Sequence, residues 1–478
     1  MMLKIIITTL FLSLSICIHS QGKQKSVEDF AADPYFRHAS IGICVKDFSG
    51  KEIVSYNSDK SFTPASILKI ITTATAFETL GTDFRYKTTL AQKEDHLYIT
   101  GSGDPTLGTK HLDNQQEAFL DLWADEIKKA FSNTKEVEIT VVDNYFGYEG
   151  IAPRWIRQDM GNYYAAGTYG ISVFDNTYLL HFNTMRQDTC PIITKAEFAN
   201  LNDFKFTNML TLNRSGKDYG FINGEPFSYE RTLVGSIPAN RKSFAMKGDL
   251  PDPGLSLGDF VSKTISKKGI ITKKLETTRK YYINEKYKKE KTAFDGEIFY
   301  THHSFPLTDI AKNINHRSNN HYAEHLLRTL GRKNNSNIYS SALDEGVALV
   351  NSYWEKQGLD TKALFMYDGS GLAPANAVSP NFICDVLIYM QTKSKNSEEF
   401  LQTLPQAGKD GTVRNLLKGT RLVGKVHAKS GSIANVRCYA GYYINGDKKY
   451  AFTIMINNFN GTSSQAVKAI ERLMLGIF

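Results

Sequence analysis

Ser66 and Lys69 stand three residues apart at the start of a helical pattern, a spacing that puts both side chains on one helix face and an amine within reach of a primary hydroxyl. A neutral serine is a poor nucleophile and needs a base beside it. A lysine serves once burial or neighbouring positive charge disfavours its ammonium form. The helix start adds partial positive charge and unpaired N–H groups suited to an oxyanion. Ser-x-x-Lys alone is common, and its bland reading is a capping serine beside a solvated lysine. Two further boxes change the weighing. Ser318-Asn319-Asn320 offers a hydroxyl that can pass a proton to a leaving amine and an amide that can hold a peptide backbone; the plain alternative is a helix N-cap by Ser318 or Asn319. Lys429-Ser430-Gly431 offers an ammonium and a hydroxyl, a natural pair for a free carboxylate, and a glycine where a substrate backbone can approach. In this order the three boxes describe acyl transfer through a serine ester.

The elements that must position these boxes are legible from periodicity. Residues 39–57 alternate as two strands with a turn near Ser49-Gly50, and 66–80 carry helical spacing until Gly81 ends the run, so Ser66 is expected to start a helix. Strands are expected over 84–100 and 137–142, a helix over 115–131, and strand-like pieces over 175–246 with a hairpin turn at Asn223-Gly224. Helical pattern returns at 255–268, 307–315, 319–330, 341–357 and 380–391. The chain closes with strands 423–429, 436–444 and 450–457, turned at Asn445-Gly446, and a helix over 464–475. The N-terminal hairpin is expected to join this meander in one antiparallel sheet. That makes the class α/β (α+β), an antiparallel sheet flanked by helices and interrupted by a large, mostly β insertion.

At 478 residues the chain is long enough for two or three domains. Residues 1–20 read as a signal peptide, with a basic start, an apolar stretch too short for a membrane span and small Ser20. Leu14-Ser15-Ile16-Cys17 loosely resembles a lipidation box, with bulky Ile16 where a small residue is expected. The expected division is 25–90 with 293–478 as a discontinuous catalytic domain and 91–292 as an inserted region of two smaller domains. Past the signal, Cys44, Cys190, Cys384 and Cys438 are too scattered for a disulfide framework and read as buried free thiols. The net charge of +8 equals the excess carried by 263–291, where eleven Lys/Arg face three glutamates. A solvated helix face is the bland account, and weak contact with an anionic wall or membrane surface the functional one. Nucleic acid is not a partner an exported chain calls for.

The three boxes together are the set found in serine enzymes that act on penicillins and on the wall peptides penicillins mimic. The chain resembles the D-alanyl-D-alanine carboxypeptidases/endopeptidases of the class C low-molecular-mass penicillin-binding proteins, peptidase family S13. Residues 101–107 (Gly-Ser-Gly-Asp-Pro-Thr-Leu), 368–372 (Asp-Gly-Ser-Gly-Leu) and 407–412 (Ala-Gly-Lys-Asp-Gly-Thr) resemble stretches of that family, and the 252-residue gap from Ser66 to Ser318 suits its inserted domains. Ser430 stands where threonine is usual and Asn319 where aspartate often stands. The resemblance implies that Ser66 attacks the penultimate D-alanine carbonyl with Lys69 as base, that Ser318, Asn320 and Lys429 complete the catalytic set, and that the N–H groups of Ser66 and Ser432 form the oxyanion hole. Lys429 and Ser430 would hold the terminal carboxylate, with Gly431 beside them. Peptidoglycan stem peptides are the implied substrates, β-lactams the implied inhibitors, and no metal or cofactor is called for. The stretch 155–160, followed by Tyr163-Tyr164, resembles the family segment in which an acid, here Asp159, receives the free amine of the stem peptide's diamino acid. An ordinary surface aspartate or helix cap is its bland reading.

Two rivals use other chemistry. A β-lactamase shares the boxes but normally brings the first two closer together, and no clear deacylation glutamate loop is present. His321-Tyr322-Ala323-Glu324-His325 spells H-x-x-E-H, the inverted zinc-peptidase signature, with both histidines on one helix face. It abuts the Ser318–Asn320 box, and no third ligand stands out.

Overall fold

The computed structural model describes residues 22–112, 115–185, 190–288 and 294–478. The expected signal peptide, residues 1–20, and Cys17 lie outside the described residues. Two compact units form: one from the residues up to 82 with 311–318 and 350–478, the other from 83–310 with 319–349. Residues 83–90, 294–310 and 319–349, grouped on sequence with the catalytic part, cluster with the second unit. The chain passes between units at Ser318/Asn319.

The first unit is built on a five-stranded antiparallel sheet in the order Val426–Ile433, Val436–Asn445, Lys448–Asn457, Ser40–Asp47, Glu52–Tyr56. The N-terminal hairpin therefore adds to the C-terminal meander, with Ile43 opposite Ile454 and Val45 opposite Phe452. One face buries Ile43, Val45, Phe452, Ile454 and Ile456 against Ile470, Leu473 and Met474 of the closing helix Ser463–Ile477. That helix starts with a capping box, Thr462 and Gln465 serving each other's backbone N–H. On the sheet's other side the helix Pro380–Thr392 packs against Ser40–Asp47 and Lys448–Asn457, started by Ser379 Oγ accepting from Phe382 N. Three thiols, Cys44, Cys384 and Cys438, are buried as expected. Cys190 instead is exposed, its Sγ 3.3 Å from the Asn208 carbonyl.

The second unit carries a five-stranded mixed sheet ordered Ile271–Thr277, Glu136–Val142, His96–Gly101, Lys87–Lys93, Glu297–His303, with parallel pairing among the first three. Smaller sheets pair Phe244–Asp249 with Thr177–Asn183, and Tyr219–Asn223 with Glu230–Pro238. Residues 224–229 connect the last pair, so Asn223-Gly224 opens a longer loop instead of forming a two-residue turn. One apolar cluster runs from Leu90 and Trp123 through Val141 and Phe174 to Leu233 and Ile237, and contact clustering keeps 91–292 within this single unit.

Candidate active site

Ser66 lies in the tight 3-10 turn Ala65–Leu68, and the α-helix proper begins at Lys69, running to Leu80, where Gly81 at φ +86° ends it. Ala65 is held at φ +47°, a left-handed conformation that costs a residue with a Cβ, so backbone strain sits directly before the hydroxyl. Lys69 is fully buried. Its Nζ donates to Ser66 Oγ at 3.0 Å and to the Ser370 carbonyl at 2.5 Å. The expected face-sharing of Ser66 and Lys69 is therefore present as a direct hydrogen bond.

The Ser370 carbonyl belongs to a loop that holds the Ser66 turn from behind. The buried Asp368 carboxylate accepts from Gly371 N, Ala373 N and Asn376 Nδ2 at 2.8, 2.6 and 2.8 Å, and Thr72 Oγ1 donates to the Gly369 carbonyl. Gly371 sits at φ +77°, and a Cβ there would lie 1.9 Å from the Ala65 carbonyl oxygen. Only glycine fits. Sequence reading found the Asp368–Leu372 stretch as a resemblance without a role. The signal was present, since Asp-Gly-Ser-Gly is a loop with backbone demands, but nothing local says which turn it braces.

Lys429 and Gly431 lie inside the edge strand Val426–Ile433, not at its end as the periodicity suggested. The strand runs on through the box because Ser430, Gly431 and Ser432 pair with Tyr439, Cys438 and Arg437 on the neighbouring strand. A Cβ on Gly431 would come within 2.6 Å of the Pro64 carbonyl and 3.1 Å of Ser66 N, so the backbone this glycine admits here is that of the Ser66 turn. Lys429 Nζ donates to Ser318 Oγ at 2.9 Å and to the Ser430 carbonyl at 2.6 Å. Burial, reinforced by the charge of Lys69, pushes the Lys429 amine well below the usual lysine range. Ser430 Oγ donates to Thr412 Oγ1 at 2.8 Å, and Ser432 is exposed.

Ser318 adopts φ +59° between the helices Leu307–Arg317 and Asn320–Asn334. The N-cap of the second helix is Asn319, whose Oδ1 accepts from Tyr322 N at 3.2 Å, which leaves the Ser318 hydroxyl to Lys429. In the second unit Asn320 Nδ2 donates to the Tyr164 carbonyl at 2.8 Å, and Tyr164 Oη donates to Asp159 Oδ1 at 3.2 Å. Asp159 is half-buried, and desolvation raises its pKa despite that hydrogen bond. The first unit thus joins Ser66, Lys69, Ser318 and Lys429 through two lysine–serine contacts. The second joins Asn320 to the segment bearing Asp159.

The H-x-x-E-H residues do not fit a zinc centre. His321 Nε2 is 2.7 Å from Ser172 Oγ, His325 Nδ1 is 2.8 Å from the Gly103 carbonyl, and the Glu324 carboxylate accepts from Arg328 at 3.0 Å. Burial holds the His321 ring down to about 3. Among the described residues no group of three or more His, Cys, Asp or Glu is placed to hold a metal ion.

A flanked antiparallel sheet with a Ser-x-x-Lys turn against its edge strand is the penicillin-binding, serine β-lactamase-like fold. A model of the D-Ala-D-Ala carboxypeptidase 3 (S13) family matches residues 23–477, and the chain belongs to that family. It is 24% identical to a D-alanyl-D-alanine carboxypeptidase of Actinomadura sp. (strain R39), over 93% of this chain and 82% of that protein. It is 22% identical to the D-alanyl-D-alanine carboxypeptidase DacB of Haemophilus influenzae, over 88% and 86%. The crystal structure of penicillin-binding protein 4 from H. influenzae matches the fold with a TM-score of 0.77 at 22% identity, covering 94% of this chain and 98% of that one. A second structure of that protein, complexed with a β-lactam, matches with a TM-score of 0.72 at 21% identity.

Proposed function

We infer that the chain is a serine-type D-Ala-D-Ala carboxypeptidase acting on peptidoglycan stem peptides. The observation that carries this is the buried Lys69 amine 3.0 Å from Ser66 Oγ. Ser66 Oγ attacks the penultimate D-alanine carbonyl carbon while its proton passes to Lys69. The peptide C–N bond then breaks, and the terminal D-alanine leaves as an amine after taking a proton through the contact between Ser318 and Lys429. Water hydrolyses the ester and frees Ser66. The N–H groups of Ser66 and Ser432 hold the oxyanion, Asn320 holds the substrate backbone, and Lys429 and Ser430 hold the terminal carboxylate, with Gly431 keeping the strand close to the Ser66 turn. Asp159 receives a side-chain amine of the substrate. β-Lactams enter as substrate mimics and stall as esters on Ser66.

The functional division we favour keeps 25–90 and 293–478 as the penicillin-binding part and 91–292 as the insertion. The substrate places the enzyme outside the cytoplasmic membrane, in a periplasm or at the membrane's outer face. No described helix is long and apolar enough to cross a membrane. Intact mass after exposure to benzylpenicillin, with mapping of the modified residue, tests the reading. The expected product is one penicilloyl group on Ser66, absent from Ser66→Ala, and acylation slowed roughly a hundredfold or more in Lys69→Ala. An adduct on another serine would sink the assignment.

A further inference from the structure

Residues 407–412 stand out in the sequence, and the acyl-transfer steps leave them unused. They belong to a strap in the first unit that lies along the free side of the edge strand Val426–Ile433. Ala407 N donates to the Val426 carbonyl at 2.8 Å and Ala428 N to the Pro405 carbonyl at 2.9 Å, with Gln406 bridged to His427 between them. The strap is also closed on itself. Asp410 Oδ1 accepts from Gln406 N at 2.8 Å, and Gly408 N donates to the Val413 carbonyl at 3.1 Å. Gly411 sits at φ +53°, where a Cβ would meet Pro405 Cβ at 2.6 Å and the His316 carbonyl at 3.0 Å, so only glycine lets the strap settle against His316, two residues before Ser318. These contacts bring Thr412 beside Ser430, whose Oγ donates to Thr412 Oγ1 at 2.8 Å.

A hydroxyl holds one proton, so Ser430 cannot give the same proton to Thr412 and to a substrate. A carbonyl or carboxylate in the place of Thr412 would keep it. A second hydroxyl does not, because it donates as well as accepts: when Ser430 turns its proton to an anion, Thr412 supplies its own to the Ser430 oxygen, and the contact survives with its direction reversed. A hydroxyl that accepts a hydrogen bond is polarised into a better donor, so the reversed pair suits an anion better than Ser430 alone. Serine also lacks the β-branch that restricts χ1 in threonine. The Ser430 side chain is therefore fixed from outside, by the hydroxyl 2.8 Å away.

We propose that Thr412 is a positioning residue for carboxylate recognition: it holds the Ser430 hydroxyl in place and returns a hydrogen bond to it when Ser430 donates to the substrate's terminal carboxylate. The proposal rests on the reading in which Ser430 holds that carboxylate. It gives the strap at 405–412 a task in the reaction, and it confines that task to ligands ending in an anion.

The test compares two peptides ending in D-Ala-D-Ala, alike except that one carries the free terminal carboxylate and the other its carboxamide. The ratio of their kcat/KM values is measured for the parent, Ser430→Ala, Thr412→Val, Thr412→Ser and the double variant Ser430→Ala with Thr412→Val. The parent favours the free acid. Ser430→Ala and Thr412→Val should each lower that preference by about tenfold, the scale of one hydrogen bond to a charged group. The double variant should lower it no further, because the two hydroxyls act as a unit, and Thr412→Ser should keep most of it. Ser430→Thr, which supplies its own β-branch, should restore part of the preference in the Thr412→Val background. Thr412 is exposed, and Thr412→Ala serves in its place if the valine variant fails to fold. A strap that only supports the fold would slow both peptides together; an unchanged ratio in Thr412→Val, or a second full loss in the double variant, overturns the proposal. A parent without the preference, or an unchanged ratio in Ser430→Ala, would instead overturn the carboxylate assignment of Ser430 beneath it.

Discussion

Two lysines share one buried neighbourhood in the first unit, each bonded to a serine: Lys69 to Ser66 and Lys429 to Ser318. Burial and the charge of Lys69 hold the Lys429 amine well below the usual lysine range, and the buried Lys69 lies within hydrogen-bond reach of the hydroxyl whose proton it is to take. Asp159 is the opposite case, a carboxylate whose burial disfavours its charge until a cation arrives. Asp159→Asn should therefore lower kcat/KM for peptides with a free side-chain amine by ~1–3 kcal/mol, the worth of a lost charge-assisted hydrogen bond. Benzylpenicillin has no such amine, and its acylation rate is the reference. Equal losses on both ligands would reassign Asp159 to the fold, and no loss on either would remove it from the site.

Between residue and domain stands the brace of three short elements: the Ser66 turn, the strand Val426–Ile433 and the Asp368–Leu372 loop. Two glycines let their backbones touch, Gly431 against Pro64 and Gly371 against Ala65. Gly371→Ala would need the loop to move by more than 1 Å and to accept a left-handed alanine, displacing the Ser370 carbonyl that holds Lys69. Misplacement on that scale costs a reacting group roughly a hundredfold in rate. Stopped-flow acylation by a chromogenic β-lactam should show this loss with the circular dichroism spectrum retained; an unimpaired rate would mean the loop has no positioning role.

At the scale of the molecule, buried acids and surface bases give it opposite responses to its medium. Asp143 in the second unit is 2% exposed, and burial raises its carboxyl to about 7 even though Tyr148 Oη and Thr278 Oγ1 donate to it at 2.6 and 3.0 Å. A folded pKa above the unfolded value means the proton is held more tightly in the fold, so this group's stabilisation is full below about pH 4 and lost as pH rises through 7. The full swing is on the order of 4 kcal/mol. Thermal unfolding at pH 5 and pH 8 should show a larger drop for the parent than for Asp143→Asn, and parallel drops would contradict the shift. The excess of basic residues over 263–291 covers the strand Ile271–Thr277 and the helix Arg279–Lys288, where Lys286 is exposed and Ile283 and Tyr287 are 65% and 76% exposed. Lys289 and Lys291 lie outside the described residues. Replacing Lys286, Lys288, Lys289 and Lys291 by glutamine should weaken sedimentation with wall sacculi or anionic vesicles at low salt, since a Debye length of about 8 Å screens such contact at physiological ionic strength. Equal sedimentation of variant and parent would discard the contact.

The strands and helices of the first unit were legible in the sequence because their signals are local: period-2 alternation at 39–57 and 436–457, helical spacing after Ser66, and Gly81 as a stop. The pairing of Ser66 with Lys69 was legible for the same reason, being a contact across one turn. Other features came only with the tertiary structure. Whether Ser318 or Asn319 caps the following helix depended on Lys429, 111 residues away, claiming the Ser318 hydroxyl. The strand end misread at Lys429 reflects a glycine that looks like a breaker until its neighbouring strand and the Ser66 turn are in place. The role of Asp368 and Gly371 likewise rests on contacts between distant stretches. Local propensity is a property of neighbours along the chain, whereas burial, repulsion and close backbone approach exist only between segments that folding brings together.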